Sequence, residues 1–251
     1  MKIFYSLVFL VFLFLENTLK AQSYQPEISS RTTEKSAVFS KFFMIAVANP
    51  LAANAGYKIL RQGGTAIDAA IAAQMVLGLV EGQSSGIGGD AALLYWNGSK
   101  KNLIAIDGRV KAPSNANEEL FYDKFGNKMG RDEAGFGGLA VGTPTLLRVL
   151  ERAHKKFGFF PWKSLFKPAI KLAMNGFSVS PRLHKQIKKN KRIRKNHAAT
   201  KYFFDRDGYP RPIGYRLINI PYAETLKRIG REGTTGFYSG NLPEKIARAV
   251  F

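Results

Sequence analysis

Met44-Ile45-Ala46-Val47-Ala48-Asn49-Pro50 opens the stretch whose reading decides the fold, and Gln83-Ser84-Ser85-Gly86-Ile87-Gly88-Gly89-Asp90 followed by Asp107-Gly108-Arg109 closes it. Between these landmarks the apolar residues Leu51, Ala52, Ala55, Ile59 and Leu60 recur at helical spacing, and Gly63-Gly64 supplies a stop that tolerates positive φ. Ala66 to about Val80 is small or apolar on every side, which places a second helix between layers rather than at the surface. Its strongly polar interior members, Asp68 and Gln74, therefore need hydrogen-bonding partners. The expectation is a short buried strand at 44–47, two packed helices, a chain-reversing turn, and a strand pair that carries Arg109 to its end.

Ser84 to Gly89 holds too many glycines for flexibility alone, so several backbone positions are expected to take positive φ or to approach another segment or a ligand closely. A tight helix-to-strand connection is the plainer reading. The turn is not a phosphate loop, because no Lys-Ser or Lys-Thr follows the glycines and the dinucleotide spacing is absent. Ala91 to Trp96, the two-residue turn signal Asn97-Gly98, and Leu103 to Ile106 read as a hairpin. Pro113 to Gly135 is loop-like, and Gly135-Phe136-Gly137-Gly138 leads into a short strand ending near Gly142. Thr143 as cap and Pro144 at the first position open a helix with Leu146, Leu147, Leu150 and Ala153 as its buried stripe, stopped by Gly158. Later helices are expected from Lys163 or Pro168 to Asn175, from Pro221 to Ile229, and from Leu242 onward, still in register at Phe251.

The 251-residue chain has no cysteine, which excludes disulfides and Cys-based metal sites, and His154, His184 and His197 sit apart among basic residues, so no zinc site is expected. A net charge of +20 raises the question of nucleic acid or an anionic surface. Arg182 to Lys201 carries Arg182, Lys185, Lys188, Lys189, Lys191, Arg192, Arg194, Lys195 and Lys201 without an acidic residue. That run is either a polyanion-binding helix or a solvated surface segment. No aromatic residue interleaves it to stack bases, so no specific nucleic-acid partner is expected. Lys2 and the apolar run Ile3 to Leu15 suit a secretory signal over residues 1–21, cleaved after Ala21, or else an uncleaved anchor. Residues 22–43 read as a flexible lead-in to a single region at 44–251, and the location implied is periplasmic or secreted.

Asn49-Pro50-Leu51-Ala52 with Gly56, the run Ile59 to Ala70, the turn Ser84 to Gly89, and Asp107-Gly108-Arg109 with Ala112-Pro113 together resemble the γ-glutamyltranspeptidase (glutathione hydrolase) family. The likeness continues through Gly138 to Pro144, Asn175-Gly176-Phe177 and Phe237 to Gly240. It implies an α/β fold, the αββα sandwich of N-terminal-nucleophile hydrolases, incomplete in this chain. It also implies a precursor that cleaves itself, so that the new N-terminal threonine of a small subunit attacks a γ-glutamyl carbonyl with its own α-amino group as base. γ-Glutamyl substrates such as glutathione would be resolved by water or by an amine acceptor, with no cofactor and no metal. The chain matches only the first part of a large subunit. No residue matches the catalytic nucleophile, Thr234-Thr235 reads as a loop or cap, and the chain alone is expected to be inactive.

By the same resemblance Arg109 binds the α-carboxylate of the γ-glutamyl group, a task suited to its fixed donor fork. The alternative is a structural ion pair with a nearby carboxylate such as Asp107 or Asp68. Val110 and Lys111 stand where the family usually has a glutamate and a small or polar residue, and Asp90 stands in place of a glycine. Three readings remain: a γ-glutamyltransferase large-subunit piece active only with a separately encoded remainder, a decayed fragment, and a basic polyanion-binding protein using residues 182–201.

Overall fold

Asn49 accepts the Leu51 N–H and starts helix α1 (Pro50–Arg61), which stops before Gly63 at φ +89°. Helix α2 (Ala66–Val80) begins with a reciprocal cap, in which Thr65 Oγ1 accepts the Asp68 N–H while the Asp68 carboxylate accepts the Thr65 N–H. These helices belong to a computed structural model that describes residues 36–135 and 137–250. The expected signal at 1–21 and the lead-in as far as residue 35 lie outside the described residues, as do Phe136 and Phe251.

Strands β1 (Ala91–Asn97) and β2 (Asn102–Gly108) pair antiparallel from Ala91 opposite Gly108 to Asn97 opposite Asn102. A single helical turn α3 (Arg131–Ala134) precedes α4 (Leu146–Phe157), and α5 (Trp162–Leu165) leads into α6 (Lys167–Asn175). The short strands β3 (Phe177–Ser178) and β4 (Arg216–Leu217) form a second pair. Between them lie α7 (Pro181–Lys189), a 3-10 turn (Lys191–Lys195) and α8 (His197–Phe203). Helices α9 (Ile220–Glu232), α10 (Thr235–Tyr238) and α11 (Asn241–Val250) finish the described chain.

Helix α2 is the axis of this arrangement, packed by α1, α4, α5 and α6, with α9 covering α5 and α6. Ile71, Met75 and Val76 are fully enclosed, and each such side chain contributes about 1.5 to 3 kcal/mol by leaving water. Tyr222 of α9 donates its hydroxyl to the Met75 carbonyl at 2.8 Å, and burial raises its pKa well above the ordinary tyrosine value. Asp68 is fully buried and accepts the backbone N–H groups of Phe159 and Phe160, with His154 Nε2 3.7 Å away, so the α4–α5 connection is fastened to the start of α2. Gln74 finds Ser85 Oγ at 2.6 Å.

The hairpin lays Leu93, Tyr95, Ile104 and Ile106 toward α4, with Tyr95 stacked on Phe157 at 4.2 Å. Its other face carries Ala92, Leu94, Trp96, Leu103 and Ala105 outward. A helix layer under a sheet is therefore present, but among the described residues the strands make only two two-stranded sheets, fewer than a four-layered sandwich requires.

Several expectations change. Residues 44–47 form no strand, because among the described residues none pairs with them; Ile45 and Val47 are half-buried and Met44 is 56% exposed. The hairpin connection is the four-residue loop 98–101, with Lys101 at φ +49°, rather than a two-residue turn. The expected strand near Gly142 is a 3-10 turn (Gly138–Ala140) followed by a single bridge from Lys111 to Thr143. Helix α4 starts after Thr145, since Thr143 is engaged in that bridge. The basic run is three short elements, not one helix.

Candidate functional site

The glycine-rich turn is fixed at its start by a buried carboxylate. Glu81 caps α2, its carbonyl accepting the Ser84 and Ser85 N–H groups, and its side chain is held by Asn49 Nδ2 at 2.9 Å, Gln83 Nε2 at 2.6 Å and Arg182 Nε at 3.2 Å. A carboxylate at a helix C-terminus faces the negative end of the dipole, and Arg182 offsets that penalty.

Between Gly86 and Gly89 the backbone contradicts one expectation. None of these glycines takes positive φ, and a Cβ on Gly86 or Gly88 would meet nothing among the described residues within 4 Å. The Gly89 carbonyl accepts the Thr145 and Leu146 N–H groups, so the turn's end is seated on the first turn of α4. Thr145 Oγ1 donates to the Gly108 carbonyl, fastening the end of β2 to the same place. Gly108 has to be glycine: a Cβ there would overlap Val149 and lie 2.7 Å from the Ala91 carbonyl oxygen.

These seats bring Asp90 beside Arg109. Asp90 Oδ2 accepts from Arg109 Nη1 at 2.9 Å and from the Val110 N–H at 3.3 Å, while Asp107 Oδ1 accepts the Arg109 N–H at 2.9 Å. The arginine side chain is 80% exposed and that of Asp90 26%. The carboxylate paired with Arg109 is thus Asp90, not Asp107, which binds its backbone, nor Asp68, which is buried under Phe159 and Phe160. With Nη1 engaged, the guanidinium keeps its Nε–Nη2 edge, a two-pronged donor for a carboxylate, on a side chain that is 80% exposed.

The tempting Thr234 is buried, accepting from Arg148 Nη1 at 3.1 Å and donating its N–H to Glu151 Oε1 at 3.3 Å. Thr235 Oγ1 donates to the Glu232 carbonyl. In the basic run, Arg182 serves Glu81, and Arg194 donates to the Gly208 carbonyl at 2.7 Å and lies over the Phe204 ring. No sequence signal gives roles to Glu81 and Arg182; Asp90 stands out in the sequence as a charged residue ending a glycine-rich turn, but its pairing with Arg109 does not.

The sequence profile of the family described as Gamma-glutamyltranspeptidase matches residues 52–250. Among curated relatives, a glutathione hydrolase proenzyme of Bacillus subtilis (strain 168) is 37% identical over 207 residues, covering 82% of this chain and 35% of the relative. A glutathione hydrolase proenzyme of Escherichia coli (strain K12) is 32% identical over 214 residues, covering 85% of this chain and 37% of the relative. The chain therefore spans about a third of the length of these relatives. Among solved structures, the Helicobacter pylori gamma-glutamyltranspeptidase superposes with a TM-score of 0.80 at 33% identity, covering 85% of this chain and 61% of that one.

Proposed function

The chain belongs to the γ-glutamyltranspeptidase family, and from that premise we propose that it forms the first part of the large subunit of a γ-glutamyltransferase or glutathione hydrolase. Its substrates are γ-glutamyl amides such as glutathione. The threonine of a small subunit adds its hydroxyl oxygen to the γ-carbonyl carbon, and its α-amino group takes the hydroxyl proton and passes it to the departing amine as the C–N bond breaks. Water, or an amino-acid or peptide amine, then displaces the enzyme oxygen and releases glutamate or the transfer product. Arg109 binds the substrate's α-carboxylate and places the γ-carbonyl at a fixed distance from the nucleophile. Action outside the cytoplasm is part of the proposal, resting on the apolar run Ile3 to Leu15.

The observation that carries this reading is the exposed Arg109 fork at the end of β2, anchored through one nitrogen. A second observation supports the αββα arrangement for the assembled enzyme: the outer hairpin face is apolar and uncovered among the described residues, with Leu94 73%, Trp96 59% and Leu103 61% exposed. A second sheet laid on it would bury that surface. The basic run lends little to a polyanion reading, since Arg182 and Arg194 have internal partners.

The test is co-expression of residues 1–251 with the remainder of a family member, the rest of its large subunit together with its small subunit, assayed on γ-glutamyl p-nitroanilide. Turnover is expected in the complex and not with the chain alone. Turnover by the chain alone, abolished by replacing Thr234 or Thr235, would contradict the proposal.

A further inference from the structure

The hairpin register and the seat of Gly89 together set a carboxylate against an arginine that is otherwise in open solvent. Asp90 takes only Nη1 of Arg109, and its Oδ2 is itself steadied by the Val110 N–H. Of the guanidinium's contact edges, the one formed by Nε and Nη2 meets no acceptor among the described residues. An arginine 80% exposed samples many rotamers unless something restrains it, and ordering such a side chain on binding lowers affinity.

We propose that Asp90 is the positioning residue of the site, holding Arg109 so that its Nε–Nη2 edge faces the incoming α-carboxylate before substrate arrives. The proposal rests on the substrate role of Arg109 given above. The same carboxylate oxygen binds both the guanidinium of Arg109 and the main chain of Val110, so it is tied to the arginine and to the residue that follows it. A competing effect has the opposite sign: the negative charge of Asp90 repels a carboxylate bound to the same arginine. At this exposure water screens that repulsion, and the substrate's adjacent ammonium offsets part of it, so orientation wins.

Asp90→Asn decides between the two effects, since it keeps the shape and removes the charge. In the complex of residues 1–251 with the rest of a family member's large subunit and its small subunit, KM for γ-glutamyl p-nitroanilide is expected to rise about 3- to 10-fold in Asp90→Asn and in Asp90→Gly, with kcat within about twofold. Asp90→Glu is expected to recover part of the loss. In the isolated chain, Asp90→Asn should speed modification of Arg109 by phenylglyoxal, read by mass spectrometry, without shifting the melting temperature by more than about 2 °C. An unchanged or lowered KM in Asp90→Asn, or an Arg109 modification rate that does not change, overturns the positioning role. If Arg109→Lys leaves KM and kcat at parental values, the substrate role of Arg109 itself fails; if Arg109→Lys impairs the enzyme and Asp90→Asn does not, only the inference about Asp90 fails.

Discussion

Glu81 and Asp90 stand at the two ends of one turn and each meets an arginine, but the Glu81 and Arg182 side chains are 4% and 31% exposed, whereas those of Asp90 and Arg109 are 26% and 80% exposed. The first pair is joined by Asn49 and Gln83 and ties α1, α2, the turn and α7 together. Among the described residues the second is joined only by Val110 and Asp107, at the end of β2. Burial thus separates two uses of the same chemistry: an enclosed carboxylate must be fully satisfied and holds the frame, while an exposed pair leaves donor capacity free for a ligand.

The largest expected effect breaks the buried side of this comparison. Glu81→Ala removes the acceptor of three side chains, and thermal unfolding of residues 1–251 should show a loss of about 2 to 3 kcal/mol, below the full cost of a dry pair because Arg182 remains partly wet. A loss no larger than that of Asp90→Asn would erase the distinction between the two pairs.

A smaller effect sharpens the comparison with a third carboxylate of intermediate burial. For Glu151, burial opposes ionisation, but the Thr234 N–H and Lys155 outweigh it and hold the pKa below its ordinary 4.5. A depressed folded-state pKa gives stability that is present above the unfolded value and is lost as pH falls through the folded value. The melting temperature of Glu151→Gln should therefore fall less steeply than that of the parent between about pH 5 and pH 3. Parallel curves would show that this carboxylate contributes nothing to acid stability.

The sequence carried the faces of the hairpin but not its register, and that difference explains why Asp90, visible as a departure in the glycine-rich turn, is not paired with Arg109 by sequence alone. A two-residue turn at Asn97-Gly98 pairs Trp96 with Ser99 and sets Asp90 across from Ala105, whereas the four-residue loop pairs Asn97 with Asn102 and sets Asp90 across from Arg109. The two registers differ by an even number of residues, so Leu93, Tyr95, Ile104 and Ile106 point inward in both. Helices α1 and α2 were legible to within a residue because caps and apolar periodicity agree there. Residues 44–47 were misread for the opposite reason, since their apolar run specifies burial in a sheet while pairing depends on strands that the described residues do not supply. The partners of Glu81 lie far along the chain, and no local pattern announces a contact with Arg182.

The measurement that bears most directly on the account is Arg109→Lys in the assembled complex, with catalytic efficiency toward γ-glutamyl p-nitroanilide and melting temperature determined together. Lysine keeps the charge and loses the fork, and an exposed side chain contributes little to stability. The account expects kcat/KM to fall at least about tenfold while the melting temperature moves by less than about 2 °C. Retained efficiency with a sharply lower melting temperature would make Arg109 a structural residue and contradict the account.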